Sequence, residues 1–132
     1  MVVLDTHTWL WWLHDPAHLS RAARNRLARE EKAGEIVISA ISVWEIAVKL
    51  QLGKLTLPMD IHTWFDRAVA YPATRIEPVT PRDGIESTLL PGSFHKDPAD
   101  RLIVALARRH GVPLVTRDRA ILDYPQVETI GA

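Results

Sequence analysis

Runs of consecutive apolar residues alternate along the chain with longer segments of mixed polarity. Three runs, at residues 2–4, 36–38 and 114–116, predict buried strands, and weaker runs at 75–79 and 127–130 predict two more. Between them, apolar residues recur at the spacing of one helical face, as they do at Val43, Ile46, Ala47 and Leu50. Continuous apolar strands that alternate with helices are typical of a parallel sheet covered on both faces. We therefore expect an α/β fold.

Capping signals predict where several of these helices begin. Ser20 precedes one helical segment, and the pairs Thr80-Pro81 and Asp97-Pro98 each match a cap followed by proline at the first helical position. The segment Ser42-Val43-Trp44-Glu45 matches the S-x-x-E capping box, which predicts a helix beginning at Ser42. That box would also give Glu45 a purely structural role.

Composition narrows the class of protein. The 132 residues predict one domain spanning 1–132, with apolar and charged fractions (47% and 24%) ordinary for a globular chain. Sixteen basic residues balance sixteen acidic ones, so net charge argues neither for nor against nucleic-acid binding. The absence of cysteine excludes disulfides, cysteine-based metal sites and thiol nucleophiles. No signal peptide is visible, and a cytoplasmic location is expected by default.

Four acidic residues occupy related positions in the predicted elements. Asp5 follows the first strand and Asp118 follows the strand at 114–116, while Glu45 and Asp100 each fall in the first turn of a patterned helix. In a parallel sheet, the carboxyl ends of strands and the starts of the following helices gather on one rim. Carboxylates gathered there repel one another unless a cation lies between them. This pattern predicts a divalent-metal site and favours a hydrolase.

Each acid taken alone has an equally good explanation as a helix cap or first-turn residue. The joint pattern favours a site, because capping does not require acids to follow adjacent strands and to lie in the helices beside them. Magnesium prefers oxygen ligands, and a site of this kind can activate a water and neutralise charge on a phosphoryl group. The sequence contains none of the common nucleotide-binding, zinc-protease or serine-hydrolase motifs.

Three segments carry a resemblance to a known family: VVLDTHTWLWW, ISAISVWEIAVKLQLGKL and HKDPADRLIVALARRHGVPLVTRD. Together they extend from residue 2 to residue 118, and the D-P-x-D-R-L-I-V-A stretch is specific. The chain resembles PIN-domain proteins, in the VapC-like group of toxin–antitoxin ribonucleases. The resemblance implies a three-layer α/β/α sandwich with a central parallel sheet of four to five strands.

The resemblance also implies an activity and a set of site residues. The family's four acids match Asp5, Glu45, Asp100 and Asp118, which would bind magnesium or manganese and catalyse RNA cleavage. Thr116 occupies the place of a polar residue that supports the fourth acid, and Asp97 is a further candidate for a supporting role. A homodimer and inhibition by a small antitoxin protein are implied as well.

Two other groups of residues suggest contacts with partners. The segment Trp9–Leu13 is apolar on nearly every side of its helix, so we expect part of it to meet a partner chain, with base stacking as a weaker alternative. Basic residues lie close in sequence to the acids, and some are expected at the rim of a site that cleaves a polyanion. These are Lys49, Lys54, Arg101, Arg117 and Arg119.

Other classes of α/β protein can be tested against the residues that their chemistry requires. A phosphoaspartyl phosphatase would need an aspartate two residues after Asp5, where the chain has His7. A receiver domain would need a lysine after a late strand, and none of the four lysines is so placed. Two alternatives stay open: a PIN-fold nuclease of RNA maturation, and a PIN fold that serves only to bind proteins.

Overall fold

The computed structural model describes all 132 residues as five strands, seven α-helices and short connections. The strands are β1 (Val2–Leu4), β2 (Ile36–Ser39), β3 (Thr74–Glu77), β4 (Leu114–Thr116) and β5 (Thr129–Gly131). The helices are α1 (Thr6–His14), α2 (Arg21–Ala33), α3 (Ala40–Gln51), α4 (Ile61–Val69), α5 (Pro81–Thr88), α6 (Pro98–His110) and α7 (Arg119–Leu122), with a 3₁₀ turn at Pro16–His18. No helix has both the length and the apolar character needed to cross a membrane.

The five strands form one parallel sheet in the order β3-β2-β1-β4-β5. From β1 the chain builds the sheet first toward β3 and then returns to add β4 and β5 on the other side of β1. The direction therefore reverses between β1 and β4, and a reversal of this kind opens a crevice at the carboxyl ends of the two strands. Asp5 and Asp118 lie at this end of the sheet.

Helices cover both faces of the sheet, which confirms the predicted three-layer arrangement. Alternate strand side chains point to opposite faces. Val2 and Leu4 pack with α1, α2, α3 and α4 in one buried cluster, whereas Val3 packs with α6 and α7 in another. All three β1 side chains are fully buried. The runs in β1 and β2 are continuously apolar because each of these strands contributes residues to both cores.

Several predicted helix starts are confirmed by their hydrogen bonds. The Ser20 hydroxyl accepts from the Ala23 amide, and the Asp97 carboxylate accepts from the Asp100 amide, with Pro98 at the first helical position. The two weaker strand predictions, at 75–79 and 127–130, are each displaced by one or two residues from β3 and β5. Short edge strands have less apolar surface to define their ends, which accounts for the shift.

The predicted start of α3 at Ser42 is wrong. The helix begins at Ala40, and the cap is Ser39, whose hydroxyl accepts from the Ile41 amide. Strand β2 passes directly into the helix without a loop, so the last strand residue serves as the cap. Ser42 lies inside the helix and is fully buried. Glu45 therefore lies beyond the first turn and takes no part in a capping box.

The apolar segment Trp9–Leu13 is covered by its own chain more completely than predicted. Trp9 is buried against Trp64, with ring centroids 5.2 Å apart, and Trp12 meets the edge of Tyr71 at 6.1 Å. The rest of the segment is half-buried against the same core. Leu10 and the residues Trp11 to Leu13 keep part of their surface exposed, so the expected contact with a partner chain stays a prediction.

Candidate active site

A cavity of about 420 Å³ opens at the carboxyl ends of β1 and β4, at the crevice between them. Half of its ten lining residues are acidic: Asp5, Glu45, Asp97, Asp100 and Asp118. The structure thus brings together all four acids of the sequence prediction and the candidate supporting residue Asp97. The remaining lining residues are Thr6, His7, Trp11, Lys49 and Arg117.

Asp5 is held rigidly at the floor of the cavity. One carboxylate oxygen accepts from the Thr8 amide at 2.9 Å, as the cap of α1, and the other accepts from the Thr116 hydroxyl. The parallel register pairs Leu4 with Val115, which places the next residue of each strand side by side. Asp5 is 8% exposed, so most of its hydration is replaced by these two hydrogen bonds.

Thr116 connects the first acid to the fourth. Its side chain is fully buried below the cavity, donates to Asp5 and accepts from the Asp118 amide at 3.0 Å. This single hydroxyl therefore fixes the positions of two acids that stand on neighbouring strands. The geometry is compatible with the supporting role expected for Thr116.

Glu45 is linked to α1 through a hydroxyl pair. The Thr6 hydroxyl lies 2.5 Å from the Glu45 Oε1 and 2.8 Å from the Ser42 hydroxyl. A carboxylate can only accept, so the single Thr6 proton goes to Glu45 and leaves the Ser42 hydroxyl to donate within the pair. Thr6 and Ser42 are both buried. Glu45 is therefore held by Thr6, the residue that directly follows Asp5.

Asp118 and Asp97 serve as helix caps while lining the cavity. Asp118 Oδ1 accepts from the amides of Ala120 and Ile121, at 2.8 and 3.4 Å, which leaves Oδ2 available. Asp97 Oδ1 accepts from the Asp100 amide at 3.0 Å. The capping and site interpretations therefore do not exclude each other. A carboxylate that caps with one oxygen presents the second to the cavity.

Asp100 has the most perturbed environment of the five acids. Burial and then the negative charges of Asp97, Asp118, Glu45 and Asp5, in that order, together raise the pKa of the carboxyl to about 7. Only one of the five acids takes part in an ion pair: Asp100 Oδ2 lies 3.1 Å from His95 Nε2, although the angle is not that of a hydrogen bond. No lysine or arginine lies within ion-pair distance of any of the five acids.

The donor set fits a hard divalent cation. Carboxylate oxygens that repel one another in a half-buried cavity are the ligands that magnesium and manganese prefer. No three acidic or histidine side chains converge closely enough to define a coordination shell. The fit consequently rests on the type of donors, their shared cavity and their unbalanced charge.

The basic residues expected near the acids divide into two groups. Lys49 and Arg117 line the cavity. Arg101 turns away and donates to the carbonyl oxygens of Phe94 and His95 at 3.2 and 3.1 Å. Arg119 points into solvent, with its side chain 80% exposed, and Lys54 is not among the lining residues. Of the five basic residues chosen because they lie close in sequence to the acids, two therefore line the cavity.

Sequence reasoning missed the polar residues that orient Glu45 and the aromatic residue of the cavity. Ser42 precedes Glu45 by three positions, so both lie on one helical face, a signal that the capping-box interpretation concealed. Trp11 follows His7 by four positions on α1, and both line the cavity. The helical spacing of a histidine and a tryptophan just after Asp5 could have identified them.

Comparison with known proteins agrees with this geometry. The family model of the PIN domain matches residues 2–126. Ribonuclease VapC22 of Mycobacterium tuberculosis is 37% identical over 123 residues, which are 93% of this chain and 91% of that protein. Among solved structures, VapBC2 from Rickettsia felis bound to a promoter DNA fragment has a TM-score of 0.70 at 18% identity, covering 98% of each chain. DNA-bound VapBC from Salmonella typhimurium has a TM-score of 0.71 at 16% identity, covering 98% of this chain and 96% of that one. The two structures support the fold alone.

Proposed function

The chain belongs to the PIN-domain family, and from that premise we propose that it is a metal-dependent endoribonuclease, the toxin of a toxin–antitoxin pair. The observation that carries the proposal is the cavity with five carboxylates and no basic ion-pair partner for any of them except His95. The relative at 37% identity is named a ribonuclease, which supports the same activity.

We assign the metal to Asp5, Glu45, Asp100 and Asp118, with Asp97 and Thr116 in support. Magnesium or manganese bound there would supply a Lewis acid that polarises a phosphate and lowers the pKa of an attacking water. Asp5 is suited to a direct role because its two hydrogen bonds prevent the carboxylate from rotating. Asp118 and Asp97 keep one oxygen each for the site after capping their helices.

Lys49 and Arg117 make the cavity suitable for a polyanion. An assembly of carboxylates alone would repel RNA, whereas cations at its rim attract the phosphate backbone. Lys49 Nζ lies 3.5 Å from His7 Nε2, so both groups stand on the side formed by α1 and α3. Positive charge on that side and carboxylates at the floor give the phosphodiester a defined direction of approach.

The proposal is tested by RNA cleavage with purified protein. Wild type should cleave single-stranded RNA with magnesium or manganese and lose activity in excess chelator. Asp5→Asn should reduce cleavage by about a hundredfold or more, because even residues that only support metal ligands contribute ~10- to 100-fold. Circular dichroism should show an intact fold. Undiminished cleavage in chelator would contradict the metal assignment, and a wild type that binds proteins but never cleaves would favour the protein-binding alternative.

We also propose that the protein acts in the cytoplasm as a homodimer that binds an antitoxin. Four of the six large exposed apolar side chains lie at two helices, Trp44 and Leu52 on or next to α3 and Ile85 and Leu89 on or next to α5. These four are each about 60% exposed, and such surfaces usually meet a partner. Light scattering that shows a monomer at micromolar concentration, with no partner co-purifying, would contradict this assignment.

A further inference from the structure

The cavity contains one apolar side chain, Trp11, and an arginine lies across it. The Arg117 guanidinium carbon is 4.5 Å from the centre of the Trp11 ring, and the His18 ring is 4.6 Å away. Trp11 and Arg117 both line the cavity that contains the five acids. A flat cationic and aromatic surface therefore adjoins the carboxylates, on the side of α1.

Arg117 is held in place by main-chain oxygens and pairs with no aspartate or glutamate side chain. Its Nε donates to the Ala132 carbonyl at 3.0 Å and its Nη2 donates to the His18 carbonyl. A guanidinium has five N–H donors, so these two bonds leave three free. The side chain also forms no ion pair, although it directly precedes Asp118. Two carbonyls and an aromatic face hold the charge in position, while an anion-binding edge stays open.

We propose that the Trp11–Arg117 pair is a nucleotide-binding subsite of the nuclease. The base next to the scissile phosphate packs against the pair, and a phosphate oxygen accepts from the free N–H groups of Arg117. This inference rests on the proposed ribonuclease activity and adds the residues that position the RNA strand. An aromatic ring stacks on any base, and a guanidinium provides both a flat surface and phosphate hydrogen bonds.

A purely structural role is the competing explanation. The hydrogen bonds of Arg117 to Ala132 and His18 join β4 to the end of the chain and to the 3₁₀ turn, and we call these contacts the clamp. Trp11 could serve only to cover it. The two roles differ in what they require of a ligand. A clamp alone affects melting temperature, whereas a subsite affects RNA affinity and depends on the presence of a base.

The test measures binding without catalysis. Fluorescence anisotropy with a labelled single-stranded RNA is performed in chelator on Asp5→Asn protein, with Trp11→Leu, Trp11→Phe or Arg117→Lys added. Trp11→Leu should weaken binding about 5- to 100-fold, the range expected for one stacked base, and Trp11→Phe should recover most of it. Arg117→Lys should weaken binding several-fold. The control Arg119→Lys, which alters an exposed residue outside the cavity, should stay within about twofold.

A second measurement keeps the test decisive if Trp11→Leu fails to fold. RNAs that lack the base at one position in turn are compared on the Asp5→Asn protein, and one or two positions should account for the loss in affinity. Equal affinity for all abasic RNAs, or Trp11→Leu binding as tightly as its parent, would overturn the subsite. Cleavage by wild type is assayed in parallel: absence of cleavage refutes the activity, whereas cleavage with unchanged binding refutes only the subsite.

Discussion

Two groups of carboxylates in this protein differ in how their charge is balanced. On the side of β3, Asp83 accepts from Arg109 Nε at 3.0 Å, and Glu77 lies 2.6 Å from His110 and 3.6 Å from Arg109. In the cavity, Asp100 has only His95 beside it and is surrounded by other acids. The side chains of Asp83 and Asp100 are 8% and 18% exposed, so both carboxylates are largely removed from water.

Similar burial has opposite consequences in the two places. Burial acts to raise the pKa of Asp83, but hydrogen bonds from Thr80 and the charge and hydrogen bonds of Arg109 more than offset it, and the pKa is lowered. Burial also raises the pKa of Asp100, and its acidic neighbours raise it further, to about 7. The charge of the first group is balanced within the chain, whereas that of the second is left unbalanced, which is what the proposed metal site would need. Perturbed acids without a partner are typical of functional sites.

The largest effect on stability should come from breaking the balanced group. Arg109→Met keeps the length of the side chain but leaves Asp83 buried without its cation. We expect a loss of about 1–3 kcal/mol in the free energy of unfolding, because a buried acceptor loses its charged donor. RNA cleavage per folded molecule should be unchanged. The measurement is urea denaturation, with Arg119→Met as the control: its exposed pair with Asp123 should contribute less than about 0.5 kcal/mol.

A smaller effect on the free energy of unfolding should come from Asp100 in the cavity, and it is measured in chelator. Asp100 has a pKa near 7 in the folded state and near its ordinary 3.8 when unfolded, so between these values the folded protein binds a proton that the unfolded chain does not. Stability from this group is present below about pH 4 and is lost as pH rises to about 7. Asp100→Asn should remove this loss and stabilise metal-free protein at pH 8 by on the order of one kcal/mol.

At low pH, Asp83 should make stability change with pH in the opposite direction to Asp100. The lowered pKa of Asp83 gives stability above its unfolded value that is lost as pH falls through the folded value. Asp83→Asn should therefore flatten the plot of stability against pH at low pH and leave the change between pH 4 and 7 intact.

The prediction for Asp100 has its own contradicting outcome. Identical plots of stability against pH for Asp100→Asn and wild type between pH 4 and 7 would show that the acidic cluster does not raise the pKa of Asp100 as described.

The smallest effect should come from Asp97, which shares the cavity but has a structural task. Asparagine caps about as well as aspartate, within a few tenths of a kcal/mol. Asp97→Asn should therefore keep the melting temperature of wild type and at least part of its cleavage. Thermal melts and the RNA assay are compared with those of Asp100→Asn. Loss of activity as large as that of Asp100→Asn would mean that Asp97 is an essential part of the site.

The centre of the sheet could be predicted because β1, β2 and β4 each contribute residues to two cores. The runs at 2–4 and 36–38 are apolar at every position and the run at 114–116 at its first two, and that pattern is local. The edge strands β3 and β5 were shifted because they are only partly buried, with fewer apolar residues to define their ends. Pairing with the neighbouring strand determines those ends, and pairing cannot be deduced from a short segment.

The gathering of the acids on one rim could be predicted from topology, but the residues that support them could not, and Thr116 was expected only from the family resemblance. The Thr116–Asp5 contact joins residues 111 positions apart, and the Thr6–Glu45 contact joins residues 39 apart. Ser42 matched a cap by sequence, yet Ser39 took that role because β2 continues directly into α3. Local motifs describe one element at a time, whereas these hydroxyls act between elements.

The central claim is that the unbalanced carboxylates bind a divalent cation. The most direct measurement is the melting temperature at pH 8 as a function of magnesium concentration, at constant ionic strength, for wild type, Asp100→Asn and Arg109→Met. Ligand that binds only the folded state raises the melting temperature with its concentration. We expect a rise for wild type and Arg109→Met and none for Asp100→Asn. An equal rise for all three proteins, or no rise for wild type, would contradict the claim.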